Sequence, residues 1–297
     1  MAEFKSILLE TPAPSVGRIV LNRVDKRNAC DTAMLYELND AFDAAAQDPA
    51  VKVIILAANG PHFCAGHDIF EADADVHKVG LEHEKYRTVG TSGNFTAAGN
   101  EGYLAREEEI YIGFCERWRD IPKPTIAQVH GKCIAGGLML AWPCDLIIAS
   151  EDAQFIDNTL LMGSPGVELF RHAAEFGFRK AKELLFASQA VTAREAQALG
   201  MVNRVVPRDQ LEQETLALAA KIAERSSYVL KLTKKMINAS EDAQGRLTAQ
   251  TAAFGYHQLA HWHNKDKYGL IVDPGYYQQY MGSPAGAQAA ESSKKSA

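Results

Sequence analysis

Short apolar runs alternate with amphipathic segments along the first half of the chain. Residues 17–22, 51–58, 125–131 and 145–150 are apolar runs of strand length, several of them ending at Gly or Asn. Runs that are apolar on both faces are typical of strands in a parallel sheet covered by helices. The pattern therefore predicts an α/β fold.

Helical periodicity separates these strands. Leu35, Leu38 and Phe42 recur at i, i+3 and i+7, and either Asp31 or Thr32 can cap the helix that they predict. A second helical pattern covers residues 107–120. The spacing thus predicts helices that connect successive strands.

Helical patterns dominate the second half. Thr192 and Glu195 have the spacing of a capping box, and Gly200 stands where that helix should stop. A last strand is predicted at 202–207, followed by three helices between residues 209 and 266.

These patterns predict three parts of the chain. They are a core over 1–207, a helical region over 208–281, and a small polar tail over 282–297 that we expect to be disordered. The polar segment 71–109 interrupts the core, and a long loop of this kind is typical of a lid or a binding wall.

Composition narrows the function. The net charge of −6 argues against a nucleic-acid partner held by bulk electrostatics. No apolar run reaches the ~18 residues that span a membrane, and the N-terminus shows no signal-peptide pattern. The cysteine count is five, an odd number, without CxxC pairs, which favours reduced thiols in a cytoplasmic protein and no metal site.

Two glycine-containing segments follow predicted strands. They read GPHFCAGHDIF at 60–70 and GKCIAGGLML at 131–140. At Gly136 and Gly137 a helix is predicted to begin, where free backbone N–H groups can bind a negative charge. Donors from both segments could form an oxyanion hole, although turn glycines more often serve packing.

Four motifs carry a resemblance to a known family. LNRVDKRNA at 21–29, HFCAGHDI at 62–69, PKPTIAQVHGKCIAGGLMLAWPCDLIIAS at 122–150 and TAREAQALGMVNRVVP at 192–207 resemble the enoyl-CoA hydratase/isomerase (crotonase) superfamily. The resemblance implies a spiral of ββα units with a C-terminal helical trimerisation region, assembled as a homotrimer or a dimer of trimers. It also implies an acyl-CoA thioester as ligand, with coenzyme A as part of the substrate and no separate cofactor.

The resemblance also implies site residues. The thioester oxygen would accept hydrogen bonds from the N–H groups of Ala65 and Gly136, which stabilise an enolate. The residues expected along coenzyme A are Lys26, Arg27, Ala29, Cys64, Gly66, His67, Asp68, Ile69 and Gly137.

The sequence departs from the family where its hydratases hold two glutamates. Met139 takes the first position and Thr159, or Asn158 in another alignment, takes the second. Neither side chain is a useful acid or base. Glu168 is the leading alternative for proton transfer, with a pKa that an apolar pocket would raise, and Asp157 is the second candidate.

Histidines offer weaker candidates. His67 could titrate near neutral pH or be structural. His257 and His261 have the i, i+4 spacing of zinc ligands, but without an HExxH pattern we interpret them as one face of an amphipathic helix.

The leading hypothesis is an enzyme that stabilises a thioester enolate. One carboxylate suits isomerisation, hydrolysis or carbon–carbon cleavage as well as hydration. The alternative is an acyl-CoA binding protein with little catalysis. RNA binding, a third hypothesis, conflicts with the acidic charge.

Overall fold

The computed structural model describes residues 4–68, 86, 88–90, 97 and 99–276. Ile69, most of the predicted 71–109 insertion and the predicted 282–297 tail lie outside these residues. Within them, no helix is long and apolar enough to cross a membrane.

Two sheets form the framework. The described strands are β1 (Ile7–Ala13), β2 (Val16–Leu21), β3 (Val53–Ala58), β4 (Thr125–Val129), β5 (Lys132–Ile134), β6 (Leu146–Ser150), β7 (Gln154–Ile156), β8 (Ala190–Thr192) and β9 (Arg204–Val206). The larger sheet has the order β1-β2-β3-β4-β6-β9, and the smaller has the order β5-β7-β8. Pairing is parallel from β2 to β9, whereas β1 pairs antiparallel with β2. The predicted α/β class is confirmed.

The helices follow the predicted alternation. They are α1 (Thr32–Gln47), α2 (Asn100–Glu107), α3 (Phe114–Arg119), α4 (Gly136–Ala141), α5 (His172–Ala187), α6 (Ala193–Ala198), α7 (Leu211–Ala223), α8 (Ser227–Asp242), α9 (Arg246–Tyr268) and α10 (Pro274–Tyr276). A π-helical stretch, Glu108–Gly113, joins α2 to α3. The cap of α1 is Asp31, whose carboxylate accepts from the N–H of Met34 at 2.8 Å. The capping box of Thr192 and Glu195 is also confirmed.

The large sheet is covered on both faces. Alternate side chains of β2, β3 and β4 face either a large cluster that includes α1, α3 and α4, or a smaller one that contains Leu211 and Ala219 of α7. Helix α7 therefore shares a core with the strands. The boundary at 207/208 stays a prediction.

The edge strand β1 was not predicted from the sequence. Its burial alternates poorly, with Ile7 buried and Leu8 and Leu9 exposed. A strand that pairs on one side only carries a weak hydrophobic signal.

Candidate active site

A cavity of about 480 Å³ lies between the loops that follow β2, β3 and β5 and the helices α2 and α9. Lys26, Arg27 and Ala29 line it together with Ala65, Gly66, His67 and Asp68. Glu107, Glu168, His257 and His261 also line it. The structure thus brings most of the predicted site residues into one pocket, whose volume suits a small-molecule ligand.

The backbone donors differ from the predicted pair at one position. The N–H of Ala65 donates to the carbonyl of Arg27 at 3.0 Å, so it cannot serve as a free oxyanion donor. The N–H of Asp68 donates to the carbonyl of Cys30 at 2.8 Å. The prediction for Ala65 is therefore wrong, although Ala65 does line the cavity.

His67 supplies the free donor instead. Cys30 forms a parallel bridge with His67 through the carbonyl of Gly66 and the N–H of Asp68. In parallel pairing the bridged residue's own N–H points to the other side. The His67 N–H consequently has no acceptor within the part of the chain that the structure describes.

Gly136 lies directly beside this donor. It is the first residue of α4, so its N–H has no acceptor within the helix. A Cβ at this position would lie 3.0 Å from the His67 nitrogen and 2.8 Å from His67 Nδ1. A side chain at this position would collide with His67, so the position requires glycine. The backbone of Gly136 lies against that of His67, and His67 lines the cavity whereas Gly136 lies behind it.

The imidazole of His67 is held by Glu168. The distance between His67 Nε2 and Glu168 Oε2 is 2.9 Å. The other ring nitrogen, Nδ1, is buried and has no hydrogen-bond partner among the described residues. The ring stacks at a tilt on Tyr111, with 4.2 Å between centroids. His67 is therefore an oriented imidazole whose Nδ1 has no partner among the described residues. Sequence reasoning placed it among the coenzyme A contacts and among the weaker candidates for titration near neutral pH.

The pKa of Glu168 shifts opposite to the prediction. Burial acts to raise it, but His67 and His257 hold the pKa of this carboxyl well below its usual value. Burial likewise acts to lower the pKa of His67, and the Glu168 carboxylate raises it overall. Glu168 is thus a stable carboxylate, because its pocket contains two histidines that the sequence did not place there.

Asp157 is a structural anchor, which corrects its candidate catalytic role. It is fully buried and does not line the cavity. One carboxylate oxygen accepts from the Thr159 N–H at 2.9 Å and the Thr159 hydroxyl at 2.6 Å. The other oxygen binds the N–H of Val167 at 2.9 Å and His172 Nε2 at 2.7 Å. Its bonds to Thr159 and Val167 fix the loop that ends at Glu168, and the bond to His172 ties that loop to the start of α5.

The two positions at which the resemblance places the glutamates, Met139 and Thr159, hold no carboxylate. Met139 is buried in the large core cluster. Thr159 lines the cavity, but its hydroxyl donates to Asp157. Neither residue can activate a water molecule as a general base.

Two predicted coenzyme A contacts lie behind the cavity wall. The Cys64 thiol is fully buried, 3.5 Å from that of Cys30. Gly137 is also buried, and a Cβ atom at this position would lie 2.9 Å from the carbonyl oxygen of Cys64. Both residues pack the two loops together, so these two predictions are corrected. Asp68 lines the cavity and pairs with Arg23 at 3.0 Å.

Two histidines of α9 lie on the buried face of the helix. His257 and His261 are buried, and their donor atoms lie with those of Glu107 and Glu168 within 4.8 Å of one another. The predicted face of the helix is thus its buried face, and it meets two carboxylates. Their i, i+4 spacing was the available signal, whereas nothing in the sequence singled out Glu107.

Comparisons with known proteins agree with this architecture. A family model described as "Enoyl-CoA hydratase/isomerase" matches residues 12–89 and 88–272. The putative enoyl-CoA hydratase EchA13 of Mycobacterium tuberculosis is 43% identical over 266 residues, which cover 88% of this chain and 82% of that protein. A putative enoyl-CoA hydratase of Thermus thermophilus is 32% identical over 226 residues, covering 75% and 80%.

Solved structures show the same fold. The crystal structure of a probable enoyl-CoA hydratase from Mycobacterium smegmatis has a TM-score of 0.79 and 42% identity, covering 90% of this chain and 99% of that one. An enoyl-CoA hydratase/isomerase from Xanthobacter autotrophicus Py2 has a TM-score of 0.74 and 31% identity, covering 95% and 100%. The chain therefore belongs to the enoyl-CoA hydratase/isomerase (crotonase) family of enzymes.

Proposed function

We propose that this enzyme binds an acyl-CoA thioester and moves a proton at the carbon next to its carbonyl. The thioester oxygen accepts hydrogen bonds from the N–H groups of His67 and Gly136, and the His67 imidazole, oriented by Glu168, transfers the proton. The observation that carries this proposal is the partly buried His67 side chain, with Nε2 on Glu168 at 2.9 Å and a buried Nδ1 that has no partner among the described residues and lies beside Gly136.

The two N–H groups supply the electrostatic part. Charge develops on the thioester oxygen as the enolate forms, and donors already in place need no reorganisation to meet it. Loss of one such donor typically costs about 3–4 kcal/mol of transition-state stabilisation. The convergence of the two N–H groups supports an enolate mechanism, whichever side chain acts as the acid or base.

The choice of His67 over Glu168 as the proton carrier follows from their environments. A carboxylate whose pKa is held well below neutral is a weak base. Burial acts to lower the pKa of the His67 imidazole, but the Glu168 carboxylate raises it, which makes the ring the stronger base of the two groups. Glu168 then fixes the ring and stabilises the imidazolium, as the acid partner of a catalytic histidine does elsewhere.

A coenzyme A ester suits the charge of the cavity mouth. Asp25 and Asp68 also line this part of the cavity, and Asp68 is paired with Arg23. Lys26 and Arg27 line it as exposed cations in a protein whose net charge is −6. Their local positive charge fits the phosphates of coenzyme A. We infer that the acyl chain lies deeper, toward α2 and α9.

Proton transfer within the substrate fits this site better than hydration by two glutamates. Met139 and Thr159 stand at the glutamate positions. A double-bond isomerisation needs one group that removes a proton and returns it, and His67 can do both. The alternatives are hydrolysis that uses Glu168, and a non-catalytic acyl-CoA binding protein.

The test uses enoyl-, dienoyl- and oxoacyl-CoA thioesters incubated with the protein in deuterated water. Mass spectrometry separates isomer with deuterium, hydrated product and free acid. We expect deuterium in a product of unchanged composition, and a large loss of it in His67→Gln, which keeps the backbone N–H. His263→Gln, an exposed histidine of α9, is the control.

Each other outcome points elsewhere. Water added across the double bond would contradict the isomerase reading, and free acid would favour hydrolysis. Tight acyl-CoA binding with no label and no product would favour the binding protein.

We also propose that the chain assembles as a homotrimer or a dimer of trimers. Helix α8 exposes Tyr228, Val229, Leu232, Met236 and Ile237. Contiguous apolar surface of this extent is typical of a protein interface. Light scattering after size exclusion would show three or six chains, and a monomer at micromolar concentration would contradict this proposal.

A further inference from the structure

Four buried side chains converge at the inner end of the cavity. They are Glu107 of α2, Glu168, and His257 and His261 of α9, and each offers one donor atom within 4.8 Å of all the others. We infer that these four residues bind a divalent transition-metal ion, of which Zn²⁺ is the best match. This inference does not depend on the proposed proton transfer.

The histidines are oriented as metal ligands are. His257 Nδ1 lies 2.7 Å from the carbonyl of Gly166, and His261 Nδ1 lies 2.9 Å from the carbonyl of Ile271. A carbonyl only accepts, so both Nδ1 atoms carry the proton. Both Nε2 atoms therefore point their lone pairs at the cluster, the tautomer that a metal site requires.

The two Nε2 atoms face each other at 2.7 Å. With both Nδ1 atoms protonated, two neutral imidazoles would place lone pair against lone pair. The contact needs a positive charge between or beside the rings, which is either one extra proton or a metal ion. The two buried carboxylates next to the rings also need a positive charge nearby, because buried charges must be paired.

The carboxylates are also supported from outside the cluster. Glu107 accepts a short hydrogen bond from the side-chain amide of Gln258. Glu168 uses Oε2 for His67, which leaves Oε1, 3.4 Å from His257 Nε2, for the cluster. Every candidate ligand thus has an outer partner that fixes its orientation, as ligands of metal sites do.

The ligand set selects the class of ion. Two imidazole nitrogens and two carboxylate oxygens suit Zn²⁺, Co²⁺ or Fe²⁺ better than Ca²⁺ or Mg²⁺, which prefer oxygen alone. In a tetrahedral site with Zn–N of about 2.0–2.1 Å the nitrogens lie about 3.3 Å apart. The Nε2 atoms of His257 and His261 would therefore have to separate by about 0.6 Å from their 2.7 Å contact when the ion binds.

The ion would lie at the wall of the acyl cavity, since all four residues line it. An oxygen carried by the acyl chain could then coordinate the ion. If the proposed function holds, the acyl groups accepted would include polar ones with a carbonyl or hydroxyl some distance from the thioester.

Cobalt binding to the native, tag-free chain tests the inference directly. After dialysis against a chelator, Co²⁺ is titrated and the visible d–d bands are recorded, with metal content measured by mass spectrometry. We expect one ion per chain, displaced by Zn²⁺. Gln258→Leu, which removes an outer partner, should weaken binding about 10–100-fold.

His261→Gln should weaken binding further, and His263→Gln, exposed on the same helix, should leave it unchanged. Absence of d–d bands and of bound metal in the native chain would overturn the inference in favour of a shared proton between the histidines. That result does not depend on whether any variant folds. Deuterium exchange by the metal-free chain separately decides the proposed function.

Discussion

The substitution Asp157→Asn separates an anchoring role from a catalytic one. The carboxylate accepts two bonds on each oxygen, from Thr159 on one side and from Val167 and His172 on the other. In the asparagine side chain one of these oxygens becomes an NH₂ group. In one orientation of the amide this group faces the backbone N–H of Thr159, and in the other it faces the backbone N–H of Val167. Donor then faces donor, and neither side can be relieved by water in a fully buried position.

The expected loss follows from those four bonds. At least two hydrogen bonds to a charged acceptor disappear, at about 1.5–3 kcal/mol each, so the free energy of unfolding should fall by about 3–6 kcal/mol. Urea denaturation followed by circular dichroism measures this. Asp152→Asn is the matched control, because Asp152 is half-exposed in its pair with Arg208 and should contribute about 0–1 kcal/mol.

Turnover should fall in Asp157→Asn only as far as folding is lost or the loop that carries Glu168 shifts. An unchanged free energy of unfolding together with abolished turnover would refute the reasoning and return Asp157 to the catalytic candidates.

Three further predictions concern the backbone donor, the coenzyme A contacts and the pH dependence of stability. Gly136→Ala places a Cβ 3.0 Å from the backbone nitrogen of His67. Deuterium exchange should therefore fall about 100-fold or more while the fold persists. Unaltered exchange would argue against this oxyanion hole. Lys26→Ala with Arg27→Ala should raise the KM for acyl-CoA and leave that for an acyl-pantetheine unchanged, whereas equal effects on both would remove the phosphate contact. Burial acts to raise the pKa of Asp157, but its hydrogen bonds from His172 and Thr159 lower that pKa below 3.8. The ionised carboxylate therefore stabilises the fold above pH 3.8, and this contribution is lost as pH falls through the folded-state pKa. Acid denaturation curves should show this dependence, and Asp157→Asn should lack it.

Most strands and helices could be predicted from the sequence because the spacing of hydrophobic residues is a local property. The strands β2, β3, β4, β6 and β9 and the helix capped by Asp31 all carry their signal within a few residues. The capping box at Thr192 is local in the same sense. Strand β1 was missed because most of its side chains are exposed, so its pattern is weak.

Only half of the proposed oxyanion pair could be predicted from the sequence. Gly136 is marked by the glycine pair and the helix start, both visible in the sequence. Which N–H of the 65–68 loop remains free depends on the bridge between Cys30 and His67, a long-range pairing that no local pattern shows. The error at Ala65 is therefore one of register.

The electrostatics of Glu168 could not be read from the sequence either. An apolar pocket would have raised its pKa, but His67 and His257 reach it from other elements. The four-residue cluster arises because α9 docks its histidines against Glu107 of α2. Such docking is set by tertiary packing rather than by any spacing.

The central claim is that His67, oriented by Glu168 beside the Gly136 N–H, moves a proton at the α-carbon of an acyl-CoA. The most direct measurement is deuterium uptake by a saturated acyl-CoA, such as butyryl-CoA, because this exchange requires an enolate and no further reaction. The native protein should place deuterium at the α-carbon, and His67→Gln should bind the thioester but lose the exchange. Exchange that is absent from the native protein, or equally fast in His67→Gln, would contradict the account.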